Sequence, residues 1–168
     1  MVSHEIEIKL KYNNKERVLK KMNDLGAKFK EKYLLHDTYF GFTKDIGNKN
    51  KLVRIREKNK FYELTFKGEA EDKNHVWKRV EINTEIKEPN KVMEIIYNLG
   101  LVKIKENESE REIYLLKKLE IAFIDFKLPA ELSVIELEGS EDEINWLVGE
   151  LGDSVERVGE DFFKIFDK

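Results

Sequence analysis

The chain opens on strict alternation. Ile6, Ile8 and Leu10 fall on one side of an extended segment, and Glu5, Glu7 and Lys9 fall on the other. The period then lengthens: across 14–25, Val18, Leu19, Met22 and Leu25 recur at helical spacing, and Gly26 supplies a stop. A strand rich in Tyr, Phe and Thr is predicted for 33–43, then a turn at Gly47-Asn48-Lys49-Asn50. Segments 51–57 and 61–68 form a hairpin around Lys58-Asn59-Lys60, and the polar stretch 69–74 reads as a loop. A strand over 76–86 leads to Pro89, a favoured first helical residue, and that helix stops at Leu99-Gly100. Strands at 110–116 and 119–127 pair across Lys117-Lys118. A last strand, 132–139, precedes a helix capped by Ser140, with Glu143 placed to complete a capping box. The closing Phe162-Phe163-Lys164-Ile165-Phe166 carries too much apolar surface to be left in water.

The pattern repeats once. Glu7 and Glu81, Gly26 and Gly100, Asp37 and Arg111, and Phe40 and Tyr114 each lie 74 positions apart. Each half runs strand, helix ending in Leu-Gly, then strands. This period is far beyond that of a solenoid and suggests two similar halves of one sheet. Hairpin-linked strands with a few helices predict an α+β fold whose sheet is mainly antiparallel. The length of 168 residues suits a single domain, 1–168.

Composition narrows the classes. There is no cysteine, so disulfides, thiolate metal sites and cysteine nucleophiles are excluded. No segment approaches the roughly 20 apolar residues of a membrane span. Met1-Val2-Ser3-His4-Glu5 lacks the basic-then-apolar pattern of a signal peptide, so a cytoplasmic protein that does not engage membrane is expected. Charged residues make up 39% of the chain but leave a net charge of only −3, which argues against a nucleic-acid binder.

What changes the picture is where the charges fall. Arg54 and Arg56 alternate with Val53 and Ile55; Glu63, Thr65 and Lys67 with Leu64 and Phe66; Arg79 and Glu81 with Val80 and Ile82; Glu136 and Glu138 with Ile135 and Leu137. Asp125 sits among apolar neighbours. For any one strand, a solvated face is the commoner explanation. Repetition over several strands, with acids on the first and last and bases between, favours a shared interior. A closed antiparallel β-barrel of about eight strands has room for side chains or one small ligand. Clustered carboxylates want a hard cation such as Mg²⁺ or Mn²⁺, and clustered Lys and Arg want an anion such as phosphate. A metal–polyphosphate complex meets both demands.

These residues also carry a resemblance. Glu5-Ile6-Glu7-Ile8-Lys9 resembles the opening signature of the CYTH family, the triphosphate tunnel metalloenzymes. The likeness continues in order through Asp37-Thr38-Tyr39-Phe40, Leu52 to Arg56, Leu64 to Gly68, Arg79-Val80-Glu81, Arg111 to Tyr114, Ile124-Asp125 and Val134 to Glu138. It implies a charged tunnel with helices packed outside. By carry-over, Glu5, Glu7, Glu136 and Glu138 would hold divalent metal, Mg²⁺ or Mn²⁺, with Glu81 and Asp125 as further candidates. Lys9, Arg54, Arg56, Lys67, Arg79 and Arg111 would bind the triphosphate, with Lys9 and Glu7 closest to catalysis. Three departures stand out: Ser109 where the family usually has a Lys, Leu128-Pro129-Ala130-Glu131 where a Leu-Gly turn is usual, and Asp161-Phe162 where a Ser-Tyr pair is common. Lys103 or Lys105 is the candidate to replace the missing cation.

His4, His36 and His75 lack ligand spacing, and Trp77 and Trp146 read as packing residues. Gly47 and Gly68 lie in no phosphate-loop motif. Three functions fit a small-molecule triphosphate partner. They are hydrolysis of inorganic triphosphate, thiamine triphosphate or a nucleotide; cyclisation of ATP to cyclic AMP and pyrophosphate; and receptor binding without turnover. Hydrolysis asks least of the rest of the chain, because cyclisation also needs an adenine pocket and an in-line 3′-hydroxyl. A homodimer is compatible with the exposed surfaces, but no residue decides it.

Overall fold

Helix 15–24 forms where the apolar spacing requires it. In the computed structural model, which describes residues 2–42, 51–69, 71–73 and 76–159 and the side chains of 6–42, 51–69 and 79–159, α1 spans Lys15–Asp24. Asn14 caps it, accepting the Arg17 N–H at 2.9 Å. It ends in a Schellman cap, with Gly26 at φ +93° donating to Asn23 O and Ala27 donating to Met22 O. The second helix, α2 (Pro89–Asn98), starts at its proline. It ends in the same way, with Gly100 at φ +88° bonded to Tyr97 O and Leu101 to Ile96 O. The third, α3 (Glu141–Leu151), is capped by Ser140, whose Oγ accepts the Glu143 N–H at 3.3 Å. The expected capping box closes differently: Glu143 accepts from the Ser140 hydroxyl at 2.6 Å.

The strands are β1 (Val2–Tyr12), β2 (Lys28–Gly41), β3 (Leu52–Lys58), β4 (Phe61–Lys67), β5 (Glu71–Lys73), β6 (Val76–Ile86), β7 (Val102–Leu116), β8 (Leu119–Leu128), β9 (Leu132–Glu138) and β10 (Val155–Arg157). All pairings are antiparallel, in the order β10-β1-β9-β8-β7-β2-β3-β4-β6-β5, and β1 also pairs with β6. The fold is α+β with one large antiparallel sheet and three α-helices among the described residues. Asn59 and Lys60, both at positive φ, make the tight turn from β3 to β4. A cis Leu128–Pro129 peptide stands in the connection from β8 to β9.

Two expectations are corrected. Part of the supposed loop 69–74 is strand β5, because its backbone pairs with Val76–Lys78 at the end of β6. Strand β7 begins well before residue 110, since the stretch from Val102 pairs with β2, with a register shift between Tyr39 and Phe40. The expected turn at 47–50, the terminal aromatic segment and Asp161-Phe162 lie outside the described residues, as do the side chains of His4, Glu5, His75 and Trp77.

One face of the sheet is apolar and carries the helices. Ile8, Leu10, Ile121, Phe123, Ile135 and Leu137 pack with Val18 and Met22 of α1 and with Ile144, Leu147 and Leu151 of α3. Further round, Phe40 and Ile55 pack with Ile96 of α2 and with Leu101. Period-two alternation then sends the intervening residues to the opposite face, and that face holds the charge.

Candidate functional site

Cross-strand register fixes which charges meet, because directly opposed residues point to the same side of a sheet. Lys9 opposes Glu136, and Glu7 opposes Glu138, which in turn opposes Glu120 on β8. Across β3 and β4, Arg54 opposes Thr65, Arg56 opposes Glu63, and Lys67 opposes Glu81 on β6. On β2, Asp37 and Tyr39 oppose Arg56 and Arg54. On their other side, Asp37 opposes Asn107 and Tyr33 opposes Arg111 of β7. Five of the six expected phosphate ligands thus share one face with Glu7, Glu81, Glu136 and Glu138. Arg79 is buried on the same strand parity as Glu81.

The ion pairs are close. Lys9 Nζ lies 2.8 Å from Glu7 and 2.9 Å from Glu136. Arg111 reaches the same Glu136 at 3.1 Å. Lys67 pairs with Glu81. Asp37 grips Arg56 bidentately, at 2.7 Å to Nε and 2.8 Å to Nη2. Arg54 donates to Thr65 Oγ1 at 3.0 Å and weakly to Glu63 at 3.4 Å. Burial opposes charge on Lys9, yet Glu136 and Glu7 outweigh it and raise its pKa above the usual lysine value. Burial likewise opposes ionisation of Glu136, but Lys9 and Arg111 hold it well below the carboxylate range. Asp37 is held low against its burial chiefly by Arg56.

Two features ask for a ligand. First, the Nε atoms of Arg54 and Arg111 and the Oδ1 of Asn107 are buried without a hydrogen-bond partner. A buried donor left unmade costs about 1–3 kcal/mol, more when charged, so an anion at the two arginines would supply the acceptor that each Nε lacks. Second, Glu138 stands among acids. Burial, then Glu136, Glu7, Glu120 and Glu81, push its carboxyl up to about 7. The residue is exposed in the strand pattern, so crowding by like charges is the part of that rise that solvent leaves in place.

No three His, Asp or Glu side chains converge as a metal cage among the described residues. The donor set still fits a hard divalent cation. Glu7 and Glu138 are directly opposed carboxylates, whose repulsion such an ion would relieve. Lys9 also engages Glu7, and Glu136 and Glu81 are engaged by Lys9, Arg111 and Lys67.

Asp125 is not part of this constellation. Arg111 opposes Ile124, so Asp125 takes the other side of β8, 2.5 Å from Ser133 Oγ and 4.0 Å from Lys15 at the start of α1. Ser109 is buried beside Arg111 on the charged face. Of its two candidate substitutes, Lys105 opposes Tyr39 on that face, whereas Lys103 pairs with Glu106. His36 lies 2.7 Å from Glu106 on the alternate parity to Asp37, and Trp146 packs under Lys117, 4.4 Å from the ring. The sequence reading passed over Asp37, Tyr39, Asn107 and Glu120. The first two stand in a motif singled out by the resemblance, but His36 and Thr38 beside Asp37 are also polar, so no alternation marks it. Asn107 and Glu120 emerge only from the register.

A sheet with one helix-clad face and one densely charged face defines a class, and comparison gives its family. The CYTH domain family model matches residues 3–162, and the chain belongs to that family. A Methanocaldococcus jannaschii protein provisionally named an adenylate cyclase is 32% identical over 122 residues, covering 72% of this chain and 69% of the relative. A Pyrococcus horikoshii protein of known structure superposes with a TM-score of 0.71 at 26% identity, covering 90% of this chain and 94% of that one. A Hippeastrum protein, first assigned as an adenylyl cyclase and described as having dominant triphosphatase activity, shares the fold with a TM-score of 0.70 at 21% identity. It covers 96% of this chain and 94% of its own. No helix among the described residues is long and apolar enough to cross a membrane.

Proposed function

We propose that the chain is a divalent-metal-dependent triphosphatase that takes the triphosphate end of its substrate into a tunnel formed by the charged face. The tunnel reading rests on β1, which pairs with β9 through Glu7–Leu10 and with β6 through Val2–Glu7, so both ends of the seven-strand run from β9 to β6 pair with this one strand. The observation that carries the function is the pair of buried, unpartnered Nε donors on Arg54 and Arg111. A guanidinium with an unpartnered Nε keeps a charged donor available for a phosphate oxygen.

In this reading Arg54, Arg56, Lys67, Arg79 and Arg111 neutralise the phosphate chain and stabilise charge growing on the leaving group. Lys9 stays protonated between Glu7 and Glu136, so it donates hydrogen bonds and places the nucleophile or the phosphate next to it. Glu7 and Glu138, with Glu5, Glu81 and Glu136 near them on their strands, would hold Mg²⁺ or Mn²⁺. When bound, such an ion offsets phosphate charge and acidifies a coordinated water or hydroxyl.

The named relative at 32% identity favours a second reading, cyclisation of ATP with release of pyrophosphate. One assay separates the two. Purified protein with Mg²⁺ or Mn²⁺ is given inorganic triphosphate, thiamine triphosphate or ATP, and phosphate, pyrophosphate and cyclic AMP are followed. Release of phosphate is expected. Cyclic AMP matched by pyrophosphate would replace the hydrolase with the cyclase. Tight binding without product from any substrate would leave a receptor.

A further inference from the structure

Asp37 is 3% exposed, yet it lies among three guanidinium groups. Of these three it bonds Arg56, through the Nε edge, and its second oxygen also accepts from the Tyr39 hydroxyl at 3.3 Å. The three arginines therefore differ in what they leave open. Arg56 has its Nε edge occupied by Asp37, while the Nε atoms of Arg54 and Arg111 are buried and unpartnered. A carboxylate fork fixes both the position and the plane of a guanidinium, because two parallel N–H···O bonds leave it no rotation.

We propose that Asp37 is the positioning residue of the anion site. It holds Arg56 by one edge so that the opposite edge, with the Nη1 donors, faces the terminal phosphates alongside the unpartnered Nε donors of Arg54 and Arg111. This rests on the triphosphate reading given above. The ordinary alternative is a salt bridge that merely ties β2 to β3. Buried ion pairs add little net stability over apolar packing, so that role alone gives weak reason for a charge at this position.

The two accounts predict opposite signs. Asp37→Asn removes a negative charge from among three arginines, so by charge alone it should tighten anion binding. It also turns one acceptor oxygen into a donor facing the guanidinium, so by positioning it should weaken binding. The experiment is calorimetric titration of inorganic tripolyphosphate into the folded protein, with EDTA and with Mg²⁺. Asp37→Asn is expected to bind about tenfold more weakly than wild type, a 1.4 kcal/mol loss. Arg56→Lys, which keeps charge but loses the fork, should lose a similar factor, and the double variant little more than either single one. Equal or tighter binding by Asp37→Asn, or fully additive losses in the double variant, would overturn the proposal while the triphosphate reading stands. Wild type that binds tripolyphosphate under neither condition would overturn the reading itself. If circular dichroism finds Asp37→Asn unfolded, Asp37→Glu takes its place, since it keeps the charge and moves the fork by one methylene. Wild-type affinity in Asp37→Glu would then overturn the proposal.

Discussion

Strands β3 and β8 hold corresponding places in the two halves of the chain, each being the second strand after its half's helix. From β3, Arg54 and Arg56 face the site; from β8, Ala122 and Ile124 do. The frameworks match closely. Shifted by 74 positions, Tyr33 falls on Asn107 and Asp37 on Arg111, and the observed pairs Tyr33–Arg111 and Asp37–Asn107 exchange with one another. Strands β1 and β6, the first of each half, also pair with each other. A near-twofold backbone thus carries a one-sided load. The first half supplies most of the bases, while the second adds the acids of β9 and a buried apolar patch of Ile113, Ala122, Ile124 and Val134. On the function proposed above, a chain of phosphates with a cation at one end has no such symmetry, and a one-sided lining suits it.

The largest test of that division is on the basic wall. Arg54→Ala should lower turnover of the favoured triphosphate roughly 10²–10³-fold, as loss of one charge-stabilising donor does in other active sites. Ile124→Val, on the facing apolar patch, should leave turnover within about threefold and cost stability only about 1 kcal/mol. Steady-state kinetics on both variants decides it. Similar losses in the two would break the comparison, since the apolar wall would then be part of the chemistry.

The helix-bearing face divides as well, and by packing. Leu147 of α3 is fully buried in a cluster that α1 and α3 close from above. Ile96 of α2 is 5% exposed, and its neighbours Ile95 and Leu99 remain open to solvent. Leu147→Ala should cost about 3–4 kcal/mol in urea unfolding and Ile96→Ala nearer 2, since a site close to water refills more easily. Equal costs would mean that α2 is covered in solution. The two helix stops should behave alike: Gly26→Ala and Gly100→Ala have open space for a Cβ but positive φ, so each should cost about 1 kcal/mol.

How much of this could be read in the sequence follows from the same contrast. Alternation alone places Arg54 with Arg56 and Glu136 with Glu138, because each pair has apolar residues between its members. The helix stops are equally legible, since Leu-Gly after an apolar-periodic run has few other uses. Asp125 could not be placed. Ala122 and Ile124 are as apolar as Ile121 and Phe123, so β8 has no visible polar side, and only its pairing with β7 puts Asp125 beside Lys15. Asp37 was hidden for the opposite reason: its flanking residues His36 and Thr38 are also polar, and no pattern selects it until Arg56 is seen opposite. Pairing of distant strands is long-range information, and local periodicity does not carry it.

The smallest effect tests the acidic end. Glu138 has a raised pKa in the fold, from 4.5 to about 7, so its contribution runs opposite to that of a salt-bridged acid. At a pH below 4.5 both folded and unfolded chains hold the proton. Between 4.5 and 7 the unfolded chain releases it first, so stability falls as pH rises through that window and levels off above it. Glu138→Gln removes this loss. The variant should therefore melt higher than wild type at pH 8 and near wild type at pH 4.5. Because the residue is exposed, the gap is discounted to on the order of 1–2 °C. Thermal melts at the two pH values measure it, and Mg²⁺ should close the gap at pH 8 by stabilising wild type alone. A gap that is the same at both pH values would mean that Glu7 and Glu138 do not crowd one another, and the second half would lose its claim to the metal end of the site.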